Sequence, residues 1–62
     1  MTKQQAVKIF KDEILPAIKA RYEQDGIIDK PARREAWHNF TDMLCKDGQI
    51  TLKQYETWDN PV

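Results

Sequence analysis

Asp25-Gly26-Ile27-Ile28-Asp29 and Asp47-Gly48-Gln49-Ile50-Thr51 are two stretches with the same grammar, and Pro31 to Lys46 runs between them. In each, an Asp-Gly pair stops a helix, because glycine takes the left-handed conformation that helix C-termini favour. An isoleucine follows as an apolar plug. A new helix then starts, at Asp29 or Lys30 after the first turn and at Thr51, with its capping hydroxyl, after the second. The fold expected is therefore all-α: a compact three-helix domain, with a central second helix flanked by two similar Asp-Gly-x-Ile turns and a short third helix. Ile28 and Ile50 are expected side by side between the helices, as a short bridge of extended backbone.

Working outward, the central helix begins at Asp29 or Lys30, with Pro31 in its first turn, where a missing N–H costs nothing. Ala32, Ala36, Trp37, Phe40, Met43 and Leu44 recur at helical spacing as its apolar arc, and Thr41 and Cys45 widen it sideways. An arc that wide suits a helix touched on two sides. Upstream, Thr2 and Gln5 have the spacing of a capping box, and the first helix should run to about Gln24. Its stripe is Val7, Phe10, Ile14, Ile18 and Tyr22, widened by Leu15. Pro16 falls opposite the stripe and should kink the helix with its convex side in solvent. Ile9 also falls on that outer side, as an ordinary exposed isoleucine or as a partner contact. Downstream, Thr51 and Gln54 form a second capping box, with Leu52, Tyr55 and Trp58 facing inward.

The 62 residues form one helical domain, residues 1–62, that buries roughly 60% of the surface of its unfolded chain. Such a core leaves little room for a deep ligand cavity, which favours a module that works through its surface. Ten basic and ten acidic side chains balance to zero. A protein that neutralises many phosphates usually carries a basic excess. The single cysteine, Cys45, cannot form an internal disulfide, and an unstapled small domain fits the reducing cytoplasm. The N-terminal residues lead into a charged amphipathic helix rather than an apolar signal region, and no stretch approaches the roughly 18 apolar residues of a membrane span.

The two turns echo the middle of a calcium-binding loop, but such loops need acidic ligands at positions one, three and five and a glutamate at twelve. With Gly26 as the sixth position, the first is Arg21 and the twelfth Ala32. With Gly48 as the sixth, the first is Met43, the third Cys45 and the twelfth Gln54. Calcium is not expected. His38 and Cys45 lie on one face of the central helix, yet two turns separate them by about 10 Å, and no third group orients them. One histidine and one cysteine are too few for zinc. No catalytic residue, metal or cofactor is expected.

Lys30, Arg33 and Arg34 make the one basic cluster, at the start of the central helix, with His38 one turn further on. The bland reading is a solvated helix end; the sharper one is a surface for an acidic protein or for nucleic acid. Trp58, near the chain end, is either a lid on the core or a half-exposed interface anchor. The second turn can also be read as helix-turn-helix, with Lys53, Gln54, Glu56 and Thr57 outward on the last helix. Lys53 and Gln54 suit DNA, whereas Glu56 and Asp59 repel phosphate.

The run Pro31-Ala32-Arg33-Arg34-Glu35-Ala36-Trp37-His38-Asn39-Phe40-Thr41-Asp42-Met43-Leu44-Cys45-Lys46-Asp47-Gly48-Gln49-Ile50, with Tyr55 and Trp58-Asp59-Asn60-Pro61, resembles small uncharacterised proteins encoded by tailed bacteriophages and prophages. The resemblance covers the C-terminal half best. That family has no assigned activity, so it assigns no residue a role. It implies expression in a bacterial host cytoplasm and raises the reading of a small binding protein that modulates a host protein. The leading expectation is thus a non-enzymatic binding protein using Lys30, Arg33, Arg34, His38 and Trp58, with Ile9 as a further contact. A small DNA-binding or regulatory protein is the alternative, and a structural or assembly accessory, with a homodimer as one form of it, is the third.

Overall fold

A computed structural model describes residues 1–61. Its first helix, α1, covers residues 3–22 and is capped by Thr2, whose hydroxyl accepts the Gln5 N–H while the Gln5 side chain accepts the Thr2 N–H. The backbone then widens over Phe10–Ile14 into a π-turn, where the Leu15 N–H donates to the Phe10 carbonyl five residues back. The cause is Pro16. It has no N–H to give, and its ring crowds the carbonyl four residues before it; one extra residue in the turn moves that carbonyl away. Helical geometry resumes over Leu15–Tyr22, with Pro16 in solvent.

The π-turn resets the face that α1 buries. Ala6 and Phe10 are fully buried, four residues apart, and the next buried residue is Leu15, five on. Inserting one residue advances the buried line by about 100°. The expected stripe therefore shifts. Leu15 takes the core position, Ile14 and Ile18 are half-buried, and Tyr22 is 47% exposed. Ile9, expected outside, is half-buried and packs against the core.

The central helix α2, Lys30–Lys46, starts at Asp29, whose carboxylate accepts the Ala32 N–H at 3.1 Å. It buries Trp37, Phe40, Thr41 and Leu44. Phe10 of α1 meets Trp37 edge-on, with ring centroids 5.3 Å apart, and lies 6.0 Å from Phe40. Edge-to-face rings add roughly 1 kcal/mol beyond their area. The Thr41 hydroxyl is silenced by donating to the Trp37 carbonyl at 3.0 Å. Met43, expected in the arc, is 52% exposed, because it lies about 100° round the helix from its neighbour Leu44.

The short α3, Leu52–Thr57, opens on the second capping box, Thr51 with Gln54. It packs on α2, and Tyr55 and Trp58 lie half-buried against the core. Leu52, expected inward, is 61% exposed. Ile50 fills the core at this end instead, and Leu52, at the first position of α3, is left in solvent.

The expected pairing of Ile28 with Ile50 does not form. Ile50 is buried, Ile28 is 55% exposed, and the described residues contain three helices and no strand or bridge. Nor is any helix among them long and apolar enough to cross a membrane. The fold is a single all-α arrangement in which α1 and α2 run antiparallel. Phe10 meets Phe40, the start of α1 lies beside Gln49, and its end lies beside Arg33.

Candidate functional site

The basic cluster is divided by the structure. Arg33 turns inward and grips Glu23, just past the end of α1, through two hydrogen bonds of 2.6 Å. The two side chains are only 13% and 6% exposed. The same carboxylate accepts the Asp29 N–H at 3.1 Å. The Arg33 guanidinium, more than any other neighbour, holds the Glu23 carboxyl below its ordinary value of 4.5, with the Asp29 N–H and Lys19 acting the same way against burial. Arg33 is therefore a clamp on the first turn and is removed from the expected binding face.

Lys30, Arg34 and His38 remain. They recur every four residues, so they form a shallow row along about 12 Å of α2. All three are exposed, and none of their side chains has a hydrogen bond or ion pair among the described residues. The row faces away from Ala32, Glu35, Ala36 and Asn39, which line an open groove against Ile18 and Tyr22 of α1. The spacing i, i+4, i+8 was the readable signal of the row. The groove was missed, although the small residues Ala32 and Ala36, one turn apart, hint at a channel.

Ile9 belongs elsewhere. It borders a hollow with Met1, Gln5, Lys8 and Gln49, where the chain start meets the second turn. There the Met1 ammonium donates to the Gln49 carbonyl at 2.9 Å, and the Gln54 amide donates to the Met1 carbonyl at 3.3 Å. Trp58 ends α3, with part of its ring against the core and part in solvent.

The outward residues proposed for DNA are partly spent. The Gln54 amide closes the capping box and reaches Met1, and the Thr57 hydroxyl donates to the Lys53 carbonyl at 2.7 Å. Two of the four side chains are thus engaged with the protein's own backbone. His38 and Cys45 stand on α2 as an exposed imidazole and a half-buried thiol. Among the described residues no group of three or more His, Cys, Asp or Glu side chains converges on one point. Set against family models, curated proteins and solved structures, the chain matches none.

Proposed function

We propose that this chain is a non-enzymatic binding protein whose α2 row of Lys30, Arg34 and His38 meets an acidic surface of another protein, with Trp58 as an apolar anchor. The carrying observation is that these α2 side chains stand exposed and unpaired in register, while Arg33 in their midst is locked to Glu23. Two cations held at fixed spacing on a rigid helix favour a partner with carboxylates at matching spacing. A half-buried tryptophan has little rotamer freedom left to lose on binding. The resemblance of Pro31 to Ile50, with Tyr55 and Trp58 to Pro61, to small phage proteins supports a bacterial host protein as the target and the bacterial cytoplasm as the setting.

The test is an affinity capture from nuclease-treated bacterial lysate, with wild type and a Lys30→Glu, Arg34→Glu double variant side by side. One protein recovered in stoichiometric amount by wild type and lost from the variant is expected. Identical recoveries from both would remove the row from the interface. Capture of nucleic acid alone, when nuclease is left out, would transfer the function to the DNA-binding reading. That binding would also fall steeply with salt.

A further inference from the structure

The groove between α1 and α2 lies on a different side of α2 from the basic row. It encloses about 310 Å³ and is lined by Ile18 and Tyr22 on one wall and by Pro31, Ala32, Glu35 and Ala36 on the other. At its turn end Tyr22 is 47% exposed, and Ile28 and Ile27, which lead along the chain into Asp29 of the groove lining, are 55% and 69% exposed. Apolar side chains clustered in this way on so small a protein mark an interaction surface.

The charges on the two lips say what fits. On the α1 lip the Arg21 guanidinium sits 5.4 Å from the centroid of the Tyr22 ring. On the α2 lip stands Glu35, with no ion pair among the described residues. The helices are antiparallel and Glu23 meets Arg33. Two residues back from Glu23 is Arg21, and two residues on from Arg33 is Glu35. The opposite charges therefore stand at matching heights on opposite lips.

We propose that the groove is the interface of a homodimer, closed by a second copy of this chain about a two-fold axis running along it. That operation places each Arg21 against the partner's Glu35 and lays the two apolar strips on each other. An isologous contact requires this kind of self-complementarity. The chain's zero net charge adds no long-range repulsion between copies. The surface ion pairs set the register, and the apolar strips supply the attraction. This interface is separate from the basic row, and the proposal does not rest on the function proposed above.

Sedimentation equilibrium of the full chain over a concentration series tests it, with Arg21→Glu, Glu35→Arg and the double charge swap. Wild type should show a concentration-dependent dimer. Each single variant should weaken it by about tenfold or more, since it sets like charges together twice, and the double swap should restore it. Circular dichroism checks that each variant is folded. A wild type that stays monomeric at every concentration would overturn the proposal and leave the groove to a different protein. Dimers insensitive to the single variants, or not rescued by the swap, would overturn it equally.

Discussion

Gly26 and Gly48 both take the left-handed conformation, with φ of 82° and 77°. Both follow an aspartate, and both precede a residue that caps the next helix. Yet the isoleucine two places on is 55% exposed in the first turn and 5% exposed in the second. The difference lies in where the preceding helix stops. α2 ends at Lys46, so Gly48 falls at its C-terminal stop. The Gly48 N–H donates to Cys45 and the Gln49 N–H to Leu44, the paired bonds of a Schellman closure. That closure turns the chain back onto the helix and drives Ile50 into the core. α1 ends at Tyr22, four residues before Gly26. Gly26 then belongs to a separate turn, held by the Asp25 carboxylate accepting the Ile27 N–H. No helix end steers Ile28 inward. What pins this turn is charge: Glu23, Arg33 and the Asp29 N–H. One five-residue motif thus serves once as an apolar plug and once as an exposed loop over an ionic clamp.

The plug is where the largest effect belongs. Ile50→Ala should destabilise the protein by about 2–5 kcal/mol, read by urea denaturation, and in so small a domain that leaves little native population. A loss under about 1 kcal/mol would mean that the second turn holds without its isoleucine, and the contrast between the turns would collapse.

Next comes the clamp. Glu23→Gln keeps the shape but surrenders the charge, so the variant should be less stable than wild type at neutral pH. The pH dependence is the sharper test. Because the folded state lowers the pKa of Glu23, its contribution is complete above the ordinary value of 4.5 and is lost as pH falls through the lowered folded value. Wild type should therefore lose stability more steeply than the variant as the solution is acidified below 4.5. Stability curves that stay parallel through that range would show that the pair is bystander to the first turn.

The same contrast explains what could be read from the sequence. Caps were legible to the residue at Thr2 and Thr51, and the start of α2 to within one position at Asp29 or Lys30, because each cap is a bond over three positions of chain and needs no tertiary information. The three-helix architecture followed from those caps and from the periodicity between them. Most of the failures are non-local. Pro16 announced a kink, but not that a π-turn would absorb it and pass the core position from Ile14 to Leu15. Arg33 looked as free as Arg34 in a row of basic letters. Its partner lies ten residues back, across a turn whose geometry no local rule supplied. Ile9 falls outward on an ideal wheel, and the first helix is not ideal. The exposure of Lys30, Arg34 and His38 was readable, because four-residue spacing sets them on one face, apart from the apolar line of Trp37, Phe40 and Leu44. The groove on the other side of α2 was not, because it depends on how close two helices come.

The smallest effect is expected at the counterpart of the plug. Ile28→Ala removes an apolar side chain that is already 55% exposed, so dilute monomer should keep its stability within about 0.5 kcal/mol of wild type. At high concentration the same change should matter more. Ile28 precedes Asp29 of the α1–α2 groove lining, and the proposed dimer would shield it from water. Denaturation at two protein concentrations separates these contributions, since association adds stability only as concentration rises. If Ile28→Ala is neutral when dilute and costly when concentrated, the first turn carries its isoleucine for a neighbour rather than for its own core. If it is costly in both, Ile28 supports the monomer after all, and the two turns are closer in kind than their exposures suggest.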